Sequence, residues 1–333
     1  MNELPLLTIL MATYNGDKYL IAQLESILSQ TYQNWELIIR DDNSTDTTQK
    51  IITEYLSRDK RVQQLQFGDL HGTACRNFSQ LFDWANQENK QYILFADQDD
   101  IWLPNKVEES FRAIRAEEMI MGNNTPLAKY SKFKFIDEYG NDINKHLKLP
   151  PKLNIQVLLT ENYAWGCTMI LNSAAVKLIK NIPPESVNHD YYIALVVSSF
   201  GKISLINQDL VLYRQHERNV SGNADKMSFK KRYERYFKET KVMIKPLKEN
   251  YALVKSFYNN YKERLSALNK RMVFSFLDSY KISFLSLILT MLKFKIFKIG
   301  VGKNLVYLYT LFLYRKQVVD AIYNSSEHED TLR

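Results

Sequence analysis

Tyr92-Ile93-Leu94-Phe95-Ala96-Asp97-Gln98-Asp99-Asp100-Ile101-Trp102 sets an apolar run directly against a cluster of carboxylates. The run reads as a buried strand and the acids as the loop at its carboxyl end. Carboxylates this close repel one another unless a cation sits among them. Hard divalent ions such as Mg²⁺ and Mn²⁺ take carboxylate oxygens together with the phosphates of a bound nucleotide. The stretch therefore points to a metal and diphosphate site at the rim of a sheet.

Toward the N-terminus the same strand-then-polar-loop pattern repeats. Residues 6–11 read as an apolar strand, and residues 17–30 carry Leu20, Leu24, Ile27 and Leu28 at helical spacing. A second strand over 35–40 leads into Asp41-Asp42-Asn43-Ser44-Thr45-Asp46, a turn rich in helix-capping residues, and then a helix through Ile51, Ile52 and Tyr55. A third strand is expected over 62–67, then a helix carrying Phe78, Leu81, Phe82 and Ala85, then the strand over 92–96. This βαβαβαβ order predicts an α/β fold: a Rossmann-like, open, mostly parallel sheet with helices on both faces, binding ligands beyond the carboxyl ends of its strands. The polar residues 13–15, Asp41, Asp42 and 97–100 all fall at those ends. Taken alone, Asp41-Asp42 reads as a turn; three polar loops on one rim read as a site.

Neither a G-x-G-x-x-G nor a G-x-x-x-x-G-K-[ST] stretch occurs, so the phosphate site falls to the metal. Asp42 can accept the imide N–H of uracil or thymine, and Tyr14 offers a ring for the base. A pyrimidine nucleotide is the expected ligand.

At 333 residues, 45% hydrophobic and 24% charged, the chain has the composition of a globular protein with one large core or a core plus an appendage. The apolar start over residues 4–12 has no basic n-region and no small-residue cleavage pattern, so it reads as a strand and not as a secretion signal. Cys75 and Cys167 stand far apart and read as reduced thiols of a cytosolic protein. Residues 226–333 carry 22 Lys plus Arg against 9 Asp plus Glu, whereas residues 1–225 carry 22 against 28. That asymmetry suggests a division into 1–225 and a basic, helical 226–333. Within the basic part, the apolar runs 282–292 and 304–314 fall short of the about 20 residues that cross a bilayer. Lys293, Lys295, Lys298 and Lys303 lie between them, an arrangement suited to helices on an anionic membrane surface; an ordinary helical subdomain or a homo-oligomer contact is the plainer reading. Nucleic acid is not an expected partner, because residues 1–225 are acidic and no nucleic-acid motif occurs.

Leu10-Met11-Ala12-Thr13-Tyr14-Asn15-Gly16, Ile39-Arg40-Asp41-Asp42-Asn43-Ser44-Thr45-Asp46 and Phe95-Ala96-Asp97-Gln98-Asp99-Asp100 resemble the three N-terminal signatures of family 2 glycosyltransferases with the GT-A fold. Arg76-Asn77-Phe78, Trp102-Leu103-Pro104-Asn105-Lys106, Gly166-Cys167-Thr168-Met169, His189-Asp190 and Tyr213-Arg214-Gln215-His216 resemble later blocks of bacterial rhamnosyltransferases that build cell-wall and capsular polysaccharides. The resemblance covers about residues 4–222 and makes 1–225 the expected GT-A catalytic domain.

By that resemblance, Ala12, Tyr14, Asp42, Arg76 and Asp97 frame the nucleotide. Asp99 is the first choice of metal ligand, with Asp97 and His216 as further ligands to Mn²⁺ or Mg²⁺. The sequence has Gln98 inside the motif and an additional acid at Asp100, which leaves open which carboxylates face the ion. Asp190 is the expected catalytic base of an inverting transfer, against a plain reading as a helix N-cap. Trp165, Gly166 and His189, with Tyr163 nearby, are the expected acceptor residues; buried core aromatics are the bland alternative. The resemblance implies a dTDP-L-rhamnose or UDP-sugar donor and a lipid-linked saccharide acceptor. It also implies a cytoplasmic enzyme, peripheral on the inner face of the bacterial plasma membrane. A phosphotransferase using the Asp97 cluster and a non-catalytic membrane scaffold are the rivals from other classes.

Overall fold

The computed structural model describes residues 4–66, 72–183, 186, 188–217 and 240–330. The chain forms two compact units. One comprises Met1–Leu153, Tyr163–Pro184 and Asn188–Asn219; the other comprises Asn154–Asn162, Glu185–Val187 and Val220–Arg333.

The first unit is built on one mixed sheet. Its strands are β1 (Leu7–Thr13), β2 (Trp35–Asp41), β3 (Val62–Gln64), β4 (Ile93–Asp97), β5 (Ile101–Trp102), β6 (Leu127–Ile136), β7 (Lys152–Leu153), β8 (Met169–Leu171) and β9 (Lys202–Arg214). Their order is β3-β2-β1-β4-β8-β6-β9-β5, with β7 pairing with β9. The pairs β2–β3, β1–β2 and β1–β4 are parallel, as the repeated crossovers require. Beyond β4 the sheet becomes mixed, because β8 runs antiparallel to both β4 and β6. Phe67, expected in the third strand, lies outside the described residues.

All seven residues of β1 are buried, as befits a central strand covered on both faces. The helices of this unit are α1 (Asp17–Leu28), α2 (Thr48–Arg58), α3 (Ala74–Gln87), α4 (Lys106–Met121), α6 (Ser173–Leu178) and α7 (His189–Phe200). The α1 residues Leu20, Leu24 and Ile27 are buried at the spacing of one helix face. Helix α3 starts where the Thr73 hydroxyl accepts the Arg76 N–H. Helix α7 buries every side chain from Tyr192 to Val197.

The second unit is helical. It holds α5 (Ile155–Leu158), α8 (Thr240–Tyr261), α9 (Ala267–Ile282), α10 (Phe284–Phe294) and α11 (Val301–Asp330). Tyr251 and Tyr280 pack with ring centroids 5.0 Å apart, and the Tyr280 and Tyr307 hydroxyls lie 3.0 Å apart in the interior. Arg315 donates to the Tyr280 carbonyl. The two apolar runs expected as amphipathic segments fall largely in α10 and α11. Among the described residues, no helix is long and apolar enough to cross a membrane.

Candidate active site

The register of the parallel strands brings three loops to one rim. Ala12 lies beside Arg40 on one side and Asp97 on the other, so the chain leaves β1, β2 and β4 side by side. The β1–α1 and β2–α2 loops are then laced together. Asn15, at φ 46°, accepts the Thr45 N–H at 2.8 Å through its side chain, and its own N–H donates to the Ser44 hydroxyl. Asp41 accepts the Thr13 and Ser44 hydroxyls at 2.7 and 2.6 Å. It therefore serves as the turn residue of its pair.

Asp42 is buried. Its carboxylate accepts from Arg40 at 3.2 Å and from the Gly72 N–H at 2.9 Å. Arg40 in turn donates to Asn77, whose amide donates to the Thr13 and Arg40 carbonyls. Tyr14 is 57% exposed on the same rim. Arg76 is exposed in the first turn of α3.

Gln98 fixes the start of α1: its amide accepts the Tyr14 N–H at 2.9 Å and donates to the Tyr14 carbonyl at 3.0 Å. A Cβ on Gly16 would stand 2.2 Å from the Gln98 oxygen, so a side chain there would push the Gln98 amide aside.

The acids at the end of β4 divide into two sets. Asp100 is fully buried, and its carboxylate accepts the Arg214 N–H at 3.1 Å. Burial, then the charges of Asp99 and Asp97, push its carboxyl well above the usual range. The Cys167 thiol lies close to both Asp97 and Asp100. The nearest ligand-type atoms of these three residues lie within 4.8 Å of one another. Burial and the two carboxylates raise the Cys167 pKa well above the thiol range, which keeps the thiol protonated in this setting. Lys106 is also fully buried. Its ammonium lies 4.5 Å over the Trp102 ring without a hydrogen-bond partner among the described residues, and burial lowers its pKa to about 8.

The second set faces the rim. Asp99 Oδ2 and His216 Nε2 lie 2.7 Å apart, and the Tyr19 ring packs against His216 at 4.9 Å. The pKa of Asp97 is pushed up to about 7, first by burial and then by the charges of Asp99 and Asp190. The electrostatics thus join three carboxylates from β4, its loop and α7. Arg214 anchors the arrangement: its guanidinium donates to the Asp99 carbonyl at 2.8 Å and to the Asp137 and Glu138 carbonyls at 3.3 and 3.1 Å.

Asp190 sits in the first turn of α7, and Asn188 takes the N-cap position. The Asp190 carboxylate accepts the Gly166 N–H at 2.9 Å. His189 turns inward: its ring stacks on Phe78 at 4.1 Å and approaches Phe95 at 5.1 Å. Burial lowers its pKa to about 3, which leaves a neutral imidazole whose Nε2 has no hydrogen-bond partner among the described residues. Of the three expected acceptor residues, His189 therefore lies in the apolar layer behind Asp190. Gly166 is buried against that ring, and a Cβ there would stand 2.5 Å from His189 Nε2. Trp165 stacks on Phe133 at 4.6 Å and leans on Tyr213 at 4.9 Å, partly buried; Tyr163 is buried.

Sequence reasoning gave no role to Cys167, Lys106, Gln98, Arg214, Arg40 or Asn77. Lys106 and Arg214 stood in recognised blocks, but nothing in a sequence marks a lysine or arginine as buried.

A mixed sheet whose parallel half carries acidic loops on one rim is the GT-A architecture of nucleotide-sugar-dependent transferases. Residues 8–172 match the profile of glycosyl transferase family 2, and the chain belongs to that family. It is a glycosyltransferase acting on nucleotide sugars. One relative is the Escherichia coli UDP-Glc:alpha-D-GlcNAc-diphosphoundecaprenol beta-1,3-glucosyltransferase WfgD, 30% identical over 66% of this chain and 80% of its own length. Another is the Shigella flexneri dTDP-rhamnosyl transferase RfbG, 29% identical over 68% of this chain and 77% of its own. Among solved structures, S. aureus TarS 1-349 in complex with UDP-GlcNAc superposes with a TM-score of 0.53 at 15% identity, covering 93% of this chain and 91% of that one. The chain spans 44% of a longer TarS chain. The Pyrobaculum calidifontis mannosyltransferase PcManGT, in complex with GDP-Man and Mn²⁺, gives 0.53 at 12% identity over 97% and 87%. These structural likenesses concern the fold.

Proposed function

We propose that this chain is an inverting, divalent-metal-dependent glycosyltransferase that moves a sugar from a pyrimidine nucleotide onto a lipid-linked saccharide in bacterial surface polysaccharide synthesis. The first-choice donor is dTDP-L-rhamnose, with a UDP-sugar as the alternative; RfbG and WfgD carry those two donors in their names. WfgD's acceptor, a diphosphoundecaprenol-linked sugar, supports the lipid-linked class and a working place at the inner face of the plasma membrane.

The observation that carries the reading is the convergence of Asp97, Asp99 and Asp190. A hard divalent ion fits this donor set, because the pressure of like charges on Asp97 is what a cation relieves, and an imidazole nitrogen stands 2.7 Å from Asp99. Asp99 and His216 would hold the ion, with Asp97 next to them, while Asp100 stays in the support beneath. When bound, the ion neutralises charge developing on the nucleoside diphosphate leaving group. Ala12, Tyr14, Asp42 and Arg76 hold the base and ribose, and Asp42 accepts the imide N–H. Asp190 takes the proton from the acceptor hydroxyl; its place at the start of α7 favours the anion, and the Gly166 N–H aims it. Trp165 offers an aromatic face beside that position.

Thermal-shift measurements with dTDP, UDP and GDP, each with and without Mn²⁺ or Mg²⁺, test the donor class, since a ligand of the native state raises its melting point. Asp99→Ala is expected to lose metal-dependent nucleotide binding. Asp190→Ala is expected to bind donor and transfer at least about 100-fold more slowly. Equal metal-dependent affinity in Asp99→Ala and wild type overturns the metal assignment, and undiminished transfer by Asp190→Ala overturns the base.

A further inference from the structure

The second unit exposes an apolar surface that its own core does not use. Leu285, Leu289 and Leu292 follow one another at helical spacing on α10 and are 66, 57 and 59% exposed, whereas Leu287 and Met291 of the same helix are buried. On α11, Leu305, Tyr309 and Phe312 form a second exposed stripe opposite buried Tyr307 and Leu311. The two stripes meet where the Phe284 and Phe312 rings pack edge to face at 5.2 Å. A continuous apolar surface of this kind on a folded unit marks a docking face.

Charge decides what docks there. From residue 279 to residue 319 the sequence has seven basic residues, Lys281, Lys293, Lys295, Lys298, Lys303, Arg315 and Lys316, and no acidic one. Lys281, Lys293 and Lys295 are exposed at the ends of α9 and α10, while Lys303 pairs with Glu161 at 2.8 Å. A second copy docked isologously would set this basic face against itself, so like charges would oppose the contact. An anionic lipid surface meets both halves of the pattern: phosphate headgroups for the lysines and acyl chains for the leucines. Neither helix spans a bilayer, so the contact lies in the plane of the interface.

We infer that the α10–α11 face, with Leu285, Leu289, Leu292, Leu305 and Phe312 at its centre and Lys281, Lys293 and Lys295 at its edge, seats this enzyme on an anionic membrane surface. The inference rests on the proposed membrane setting and names the surface responsible for it. The test is flotation of the full chain with phosphatidylcholine vesicles, with and without phosphatidylglycerol, alongside light scattering. Wild type is expected to float with the phosphatidylglycerol vesicles and not with phosphatidylcholine alone. The Leu285→Ser/Leu289→Ser and Lys293→Glu/Lys295→Glu variants are each expected to bind more than about tenfold less. Both sites are exposed, so the variants should keep the wild-type melting point and its shift with nucleotide and Mn²⁺; that shift reports on the donor reading separately. Undiminished flotation of either folded variant overturns the assignment, as does equal binding to phosphatidylcholine alone. A wild-type dimer that becomes monomeric in the leucine variant gives the face to a second copy and overturns it too.

Discussion

Gly166 serves Asp190 in two ways: its N–H binds the carboxylate, and its lack of a Cβ lets the His189 ring close against the backbone. The imidazole is thereby removed from the acid–base chemistry its position beside Asp190 suggests, since a pKa lowered to about 3 by burial keeps it neutral at every working pH. A pH signature follows. As pH falls from 6.5 toward 3, the unfolded chain takes a proton at residue 189 and the native chain does not, so wild type loses stability over that window. His189→Ala lacks this loss. Its stability deficit, measured by urea denaturation, is expected to shrink between pH 7 and pH 4 by on the order of 2–3 kcal/mol. A gap that does not change with pH would refute the buried, neutral ring. The carboxylates at the rim were legible in the sequence because acids clustered after an apolar strand are unusual on their own. Cys167 was not, because a lone thiol shows its carboxylate neighbours only once β8 is set beside β4.

Strand β9 joins the elements around the acids. Its last residue, Arg214, is 4% exposed, its guanidinium ties the Asp99 loop to the turn after β6, and its cationic carbon lies 4.8 Å from the Tyr19 ring centroid. Parallel pairing with β6 along almost its whole length holds Arg214 in that position. Removing the guanidinium takes one donor from each of three partly buried carbonyls, at up to about 1–3 kcal/mol each. Arg214→Ala is expected to lower the melting point by several degrees and to raise the Mn²⁺ concentration for half-maximal transfer about tenfold or more, with Arg214→Lys between the two because a point charge cannot span three carbonyls. A variant with reduced stability and an unchanged Mn²⁺ requirement would make Arg214 a packing residue only. The strands and helices of the first hundred residues are legible because each is a short periodic run between turn residues, and their ends move by only a few residues in the structure. In the mixed half of the sheet, β5, β7 and β8 were not legible, since they are two or three residues long and owe their pairing to long-range contacts.

At the scale of the whole chain, an acidic α/β unit and a basic helical unit are each compact. The charge asymmetry marked the tail as distinct, but sequence alone could not show that the short segment 154–162 belongs with it, because its membership depends on contacts made far along the chain. The residues proposed for nucleotide and metal, from Ala12 to His216, all lie in the first unit. A ligand stabilises what it binds by RT ln(1 + [L]/Kd), which is about 2.7 kcal/mol at a hundredfold excess over Kd. If the units unfold independently, calorimetry of the full chain should resolve two transitions, and UDP or dTDP with Mn²⁺ should raise one by several degrees and leave the other in place. Asp99→Ala should abolish that shift. A single transition that moves as a whole would mean that the two interiors unfold as one cooperative body, and stabilisation by nucleotide would then extend to the helical unit as well.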